Sequence, residues 1–395
     1  MKWFRQMFAV TDMNMRSIQE RVGSSLVVII GIAGSVAVMV SLLAMAGGLR
    51  STVESTGDED RAIVLRSGSN SELSSSISRE EANVIENAAG LKRKDGSPMV
   101  SFELYTVVDV KKKGAEDTSN LPFRAVQPMS FHIRPELKII EGRNFEEGKS
   151  EIIVGRGAAN QFEGLEIGKS IKFRSAEWTV VVIFSSGGDV HESEVMADLL
   201  IAQSAFNRGA TSTNAIVRLN DEESFEQFAI YLENEPRLEV KVERESDYYK
   251  EQGAGVSALI NVFGYLVASI MAVGSVFAAL NSMYSAVSTR LVEIGTLRAL
   301  GFQGSSILGA VMIESMFLAL LGGLLGGGLA YIIFNGYTVS TLAGGTFSQT
   351  SFDFAVTIDI IQQGLFLALT VGFLGGFFPA WKAARQDITS ALRSL

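Results

Sequence analysis

Residues 289–328 read TRLVEIGTLRALGFQGSSILGAVMIESMFLALLGGLLGGG, and the fold turns on how this stretch is understood. In its first half Ile294, Leu297 and Leu300 form an apolar stripe at helical spacing, on a segment that also carries Arg290, Glu293 and Arg298. Gly301 then ends the helix, as a glycine does when it takes the left-handed conformation just past a last turn. Long apolar runs lie on both sides. A short amphipathic helix between two membrane spans lies in the membrane surface or docks onto a soluble partner; the spacing alone also fits a plain interfacial turn.

Working outward, four nearly uncharged apolar runs stand out at residues 24–48, 256–287, 307–334 and 360–380. Each reaches the roughly 20 helical residues needed to cross a hydrocarbon core about 30 Å thick. The expectation is a membrane α-helical protein with four transmembrane helices and an α+β extracytoplasmic domain inserted between helices 1 and 2. The chain then divides into a cytoplasmic amphipathic segment (1–22), a first span (23–48), the inserted domain (49–255, with two subdomains separating near 111–121) and a second span with a stalk (256–288). A cytoplasmic loop with the short helix (289–304), a third span (305–334), a short outer loop (335–358), a fourth span (359–381) and a cytoplasmic tail (382–395) follow.

Charge orients this topology. Of the 34 Lys and Arg, nine lie outside residues 47–255: Lys2, Arg5, Arg16, Arg21, Arg290, Arg298, Lys382, Arg385 and Arg393. All nine fall on one side of a four-span arrangement, and the 335–359 loop on the other side has none. Short loops rich in Lys and Arg stay cytoplasmic, so both termini and the 289–304 loop are expected inside and the large acidic domain outside. The chain has no cysteine, so that domain is held by its own core without disulfides. Ala44-Met45-Ala46 has the form of a signal-peptidase site, but the apolar stretch before it is about twice the usual 7–15 residues, and an uncleaved span is expected. Trp3, Phe4, Met7 and Phe8 fall near helical spacing and read as an amphipathic anchor on the cytoplasmic face.

Two blocks of sequence carry a family resemblance. Arg290, Glu293-Ile294-Gly295, Leu297-Arg298-Ala299-Leu300-Gly301, Glu314 and the glycines Gly322, Gly323, Gly326 and Gly327 resemble the permease subunits of FtsX/MacB-type ABC transporters. Gly376-Phe377-Phe378-Pro379-Ala380-Trp381-Lys382-Ala383-Ala384-Arg385, followed by Ala391-Leu392-Arg393, resembles the closing motif of the same family, which usually carries a proline where this chain has Asp387-Ile388-Thr389. The resemblance implies that residues 290–301 are the coupling helix seated in a groove of a separate cytoplasmic ABC ATPase, present in two copies. It implies that Pro379, Lys382 and Arg385 belong to the cytoplasmic tail motif. It also implies a second permease chain, ATP and Mg bound by the ATPase with no cofactor in this chain, and a possible role for a periplasmic adaptor or outer-membrane component. Localisation would be the bacterial inner membrane. The implied work is mechanotransmission: ATP-driven motion carried to a periplasmic domain that moves a substrate already outside the inner membrane. Two other uses share the topology, a lipoprotein-releasing permease similar to LolC or LolE, and an FtsX-like scaffold that activates a cell-wall hydrolase.

Within the inserted domain, residues 61–66, 100–110, 121–126, 151–154, 170–173, 178–184, 215–219 and 238–242 read as strands rich in Val, Ile and Phe. Ser78-Arg79-Glu80-Glu81 gives a capping-box start to a helix running to about residue 89. Residues 193–207 and 222–234 read as two further helices, and the polar stretches 67–76 and 111–120 as mobile loops. A helix from Ser246 to Arg290 would be about 67 Å long at 1.5 Å per residue, longer than any bilayer core, with Gly253 and Gly255 as the points where a break is expected.

Gly322/Gly326, Gly323/Gly327 and Gly372/Gly376 have the spacing that lets helix backbones approach closely, either within one subunit or across a dimer face. Glu314 is the one acid inside the third span; it suits pairing toward Arg298 or the inner surface, or a direct coupling role. Gly148-Lys149-Ser150 and Gly168-Lys169-Ser170 lack the upstream glycine of a phosphate-binding loop, Arg143 and Glu163 standing there instead. Ser185-Ser186-Gly187-Gly188-Asp189 echoes an ABC signature without its context, and residues 189–194 (DVHESE) read as a solvated acidic loop before a metal site. No basic, aromatic-interleaved patch suggests nucleic acid. The chain is therefore expected not to be an enzyme.

Overall fold

The computed structural model describes residues 2–17, 22–342 and 349–386. It divides into two units, a helical bundle (residues 1–47, 259–337 and 354–395) and a sheet domain (residues 48–258 and 338–353).

The bundle begins with α1 (Lys2–Arg16) and α2 (Val22–Glu54). In the sheet domain follow β1 (Arg61–Arg66), α3 (Arg79–Glu86), the short pair β2 (Arg93–Lys94) and β3 (Ser97–Pro98), then β4 (Val100–Lys111), β5 (Thr118–Val126), α4 (Ser130–Ile133) and β6 (Lys138–Gly142). Next come β7 (Glu151–Gly155), α5 (Arg156–Gln161), β8 (Ser170–Phe173), β9 (Ala176–Ser185), β10 (Val195–Asp198), α6 (Leu199–Ala205), β11 (Asn214–Arg218), α7 (Ser224–Glu233) and β12 (Val240–Arg244). The chain continues with α8 (Glu245–Thr289), α9 (Leu291–Ala299), α10 (Gly304–Phe334), the hairpin β13 (Thr338–Leu342) and β14 (Gln349–Asp353), and α11 (Ile358–Arg385). Among the described residues four helices, α2, α8, α10 and α11, are long and apolar enough to cross a membrane.

In the sheet domain one mixed ten-stranded sheet runs β12-β1-β11-β4-β5-β10-β7-β9-β6, with β8 added on β9. β4 is the hinge of this order: Val100–Glu103 pair with β11, while Leu104 to Lys111 pair with β5. The main apolar core gathers Phe102, Leu121, Phe123, Phe162, Trp178 and Phe228 among many aliphatic side chains. In α3 the Ser78 side chain accepts from Glu81 N while Glu81 accepts from Ser78 N, the reciprocal cap its spelling predicts.

Several expectations need correction. Residues 193–207 are not one helix. Val195–Asp198 form a fully buried strand between β5 and β7, and Asp198 then caps α6 by accepting from Ile201 N. A strand buried on both faces shows no alternation, and so reads like a buried helix. Residues 111–120 are the turn of the β4–β5 hairpin, paired from Lys111↔Thr118 inward, and form no boundary between subdomains. Residues 67–76 are anchored through the buried Ser71, Glu72 and Ser75. The stretch 335–358 contains the β13–β14 hairpin, and β6 carries Ile139 and Ile140 exposed at the sheet edge. Neither Gly253 nor Gly255 breaks α8: an added Cβ on Gly253 would meet Val53 Cγ2 at 2.7 Å, so that glycine serves close packing against the end of α2.

Candidate functional site

The first candidate site lies at the corner where α8 ends and α9 begins. Arg290 is the residue between them and the N-cap of α9, its carbonyl accepting from Ile294 N. Its side chain is buried, with Nη1 3.3 Å from Glu314 Oε2 on α10 and Nη2 donating to Asn14 O at the end of α1. Glu314 therefore pairs with Arg290 and not with Arg298. Arg298 instead donates through Nη1 to Ala384 O at the end of α11. At the far end Gly301 has φ +94°, Phe302 N donates to Leu297 O and Gly301 N to Arg298 O, a Schellman stop that fixes where the helix ends.

Burial sorts the residues of α9 onto two faces. Ile294 and Gly295 point inward, Ile294 packing with Met283, Val287, Ile307 and Val311. Glu293, Ala299 and Leu300 point outward, Leu300 being 73% exposed, and Leu297 is half-buried. The exposed set, with Thr296, recurs at about one helical turn and forms a single face. α1 flanks it: Trp3 Nε1 donates to Ser305 Oγ and Gln6 Nε2 to Gly301 O, while Phe4 and Phe8 stay exposed.

The glycines of the spans hold this corner on a tight bundle. A Cβ on Gly322 or Gly326 would strike α2, at Ile29 O (3.0 Å) and Ala33 O (2.4 Å). One on Gly323 would meet Ala368 Cβ on α11 at 2.8 Å, and one on Gly372 or Gly376 would meet Ala319 Cβ (2.4 Å) or Ser315 on α10. Gly327 has more room, 3.6 Å from Ile361. All six thus serve helix contacts within one chain. Pro379 is buried inside α11, Lys382 Nζ lies 5.4 Å from the Tyr284 ring centroid, and Arg385 stacks on Trp381. Asp387-Ile388-Thr389 and residues 391–393 lie outside the described residues.

A second constellation, in the sheet domain, was not expected. Arg61 on β1, Glu103 on β4, Arg124 on β5, Arg134 after α4 and Glu245, the first residue of α8, are all buried, with Glu72 and Glu194 beside them. Arg124 lies 2.8 Å from Glu103, 2.7 Å from Glu194 and 2.5 Å from Glu72. Arg134 bridges Glu103 and Glu245, and Arg61 Nε lies 2.8 Å from Glu245 Oε2. Against the burial that would raise it, Arg134 and Arg124 hold the Glu103 carboxyl down at about 2. Burial pushes Glu72 up, because Arg124 is shared among three carboxylates. The readable signal was a lone charge inside an apolar strand: Glu103 in SFELY and Arg124 in LPFRA.

Residues 189–194, read as a solvated loop, are buried. His191 Nδ1 lies 3.0 Å from Glu194 Oε2, and Glu192 Oε1 accepts from Ser186 N and Gly188 N, so the chain's own carboxylate occupies the glycine loop. Ser193 Oγ accepts from Ser351 N, tying β14 to this turn. Among the described residues no group of three His, Asp or Glu side chains is placed to hold a metal ion.

A bundle of four membrane-length helices carrying a large sheet domain between the first and second, with a short helix at a pinned corner between the second and third, defines the class: a polytopic permease-type membrane protein. Residues 25–235 match the MacB-like periplasmic core domain, and residues 265–388 match the FtsX-like permease C-terminal region. The chain belongs to the MacB/FtsX-like family of ABC transporter permeases. An uncharacterized ABC transporter permease of Methanocaldococcus jannaschii is 23% identical over 391 residues, 96% of each chain. The macrolide export ATP-binding/permease protein MacB of Escherichia coli is 34% identical over 140 residues, 35% of this chain and 20% of that protein. The periplasmic region of MacB from Actinobacillus actinomycetemcomitans superposes with a TM-score of 0.37 at 12% identity, covering 51% of this chain and 96% of that structure. No catalytic domain is indicated in either matched region, and membership of an ABC permease family implies a cytoplasmic ATPase partner.

Proposed function

We propose that the chain is the transmembrane subunit of an ABC transporter that carries ATP-driven motion of a separate ATPase to the sheet domain, which moves a substrate on the far side of the membrane. The observation that carries this reading is the continuity of α8. It runs unbroken from Glu245, directly after β12, to Thr289, directly before the corner that holds α9. At 45 residues it is about 67 Å long, more than twice the apolar thickness of a bilayer. A rod of that length joins the sheet domain to the exposed face of Glu293, Thr296, Ala299 and Leu300, where the ATPase docks. The basic residues orient this face and both termini to the cytoplasm of a bacterial inner membrane and the sheet domain to the periplasm. The working assembly has two copies of this chain and two ATPases, which bind ATP and Mg, with a periplasmic adaptor or outer-membrane component completing an efflux route. The sparse polar lining of the spans supports motion of a substrate outside the membrane over passage between the helices.

The test is isolation of the tagged full chain from its native membrane in mild detergent, with gentle crosslinking. A stoichiometric ATPase that is lost on Leu300→Asp supports the reading; absence of any ATPase overturns it.

A further inference from the structure

The buried charge cluster of the sheet domain has no account in stability alone. Replacing buried ion pairs by apolar side chains of similar volume is commonly neutral or favourable, because desolvation offsets the attraction. This domain already has an extensive apolar core away from the cluster. What ion pairs give that apolar packing does not is direction: each guanidinium presents five donors in a fixed plane. Here Arg134 donates through Nε and Nη2 to Glu245, the first residue of α8, and Arg61 faces the same carboxylate as an ion pair. The Glu245 carboxylate lies 2.8 Å from Arg61 of β1 and 3.3 Å from Arg134, and Arg134 passes on to Glu103 of β4. Glu103 meets Arg124 of β5, whose Nη2 also donates to Tyr249 OH, one turn further along α8. The first turn of α8 is thus fixed directly to β1 and β5, and through Arg134 to β4, in rotation as well as in position.

We propose that this cluster is the joint through which α8 drives the sheet domain, with Glu245 as the positioning residue on the helix and Arg61 and Arg134 as its seat on the sheet. This rests on the reading of α8 as the force-carrying element. A helix held only by apolar contacts can turn or slide against its neighbours while losing little contact area. Held by ion pairs to β1 and to the segment after α4, and by the Tyr249 hydrogen bond to β5, it transmits tilt and twist. The position of Glu245 fits the role, since β12 ends at Arg244 and no linker separates strand from rod.

The experiment uses the full chain in nanodiscs with the ATPase that copurifies with it. The chain has no cysteine, so cysteines introduced at the exposed Leu200 of the sheet domain and Phe366 of α11 accept spin labels uniquely. The distance distribution between them is measured without nucleotide and with ATP and vanadate. Two variants are compared with the parent: R61L/E245L, which removes one positive and one negative charge together, and E245Q, which keeps the shape. The expected result is ATP hydrolysis within about twofold of the parent, with the nucleotide-dependent distance change reduced by half or more. A variant that folds and keeps the parent's full distance change overturns the joint. Should R61L/E245L fail to fold, E245Q alone decides by the same criterion. If the parent itself shows no distance change, the force-transmission reading falls, and this inference with it.

Discussion

The Arg290 guanidinium at the α8–α9 corner lies 3.3 Å from the Glu314 carboxylate on α10, and both side chains are more than nine-tenths buried. The pair ties the corner, and through it the start of α9, to the third long helix of the bundle. Removing one partner of a buried pair leaves the other without its counter-charge, at a cost of about 3–5 kcal/mol, whereas removing both together is far milder. Glu314→Ala is therefore expected to lower the thermal stability of the purified chain sharply, and Arg290→Leu with Glu314→Leu to recover most of it. A double-mutant cycle on detergent-solubilised protein measures the coupling. Additive effects of the two single changes would show that the two residues do not depend on one another.

Leu300 and Ile294 sit on opposite faces of α9, and their replacement should separate docking from folding. Leu300 is 73% exposed, so Leu300→Asp is expected to leave the melting temperature nearly unchanged while weakening ATPase association at least tenfold. Ile294 is 6% exposed in the cluster with Met283 and Val287, so Ile294→Asp buries an unpaired carboxylate and should prevent stable folding. Fluorescence-detected size exclusion reads the second effect, and copurified ATPase reads the first. Normal ATPase recovery with Leu300→Asp would remove this face from the docking site.

The membrane helices, α9 and most strands were legible because each depends on local pattern: run length for α2 and α10, apolar spacing and Gly301 for α9, β-branched runs for β1 and β7. Contacts that depend on how elements cross were not. Glu314 lies sixteen residues from Arg298 and twenty-four from Arg290, and nothing in the chain's periodicity says which of them the crossing of α8 and α10 brings near. Likewise β13 and β14 are short and mostly polar, and their hairpin becomes evident only when Ser340 and Ser351 find Lys112 and Ser193 as partners. Glu103 and Arg124 stand as lone charges in apolar strands, a visible anomaly, but their joining with Glu245 needed the sheet order.

Gly326 packs where a side chain has no room. An ideal Cβ there would sit 2.4 Å from Ala33 O, a backbone atom on α2, whereas Gly328 two residues on has nothing within 4 Å. Gly326→Ala must push α2 and α10 apart, at a cost of about 1–3 kcal/mol. Gly328→Ala should be neutral or slightly stabilising, since alanine favours helix over glycine by roughly 1 kcal/mol. Melting curves of the two variants in one detergent check this, and equal effects would mean that the close α2–α10 approach is absent.

The turn holding His191 should make the sheet domain weaken as pH rises. The ring is buried and faces Glu194 and Asp189 on its own turn, Arg134 from the segment after α4, and Glu245 and Tyr249 from α8. Burial works against the charged ring, but Glu194 and Asp189 outweigh it and raise the pKa of His191. Burial also raises Asp189, from 3.8 to about 6. A group whose pKa is higher folded than unfolded contributes stability at low pH and loses it as pH passes the folded value. Asp189 therefore loses its contribution as pH rises from its ordinary 3.8 to about 6, and His191 loses its own above the ordinary 6.5, while the depressed Glu103 and Glu194 lose theirs only in strong acid. Because Ser193 of the same turn anchors Ser351, the effect should be read in β14. Hydrogen exchange of residues 349–353, corrected for intrinsic rates, is expected to show an opening free energy lower at pH 8 than at pH 6. His191→Gln should leave only the smaller share of that slope, due to Asp189. A flat profile in the parent between pH 6 and 8 would mean that the turn does not hold its proton in this range.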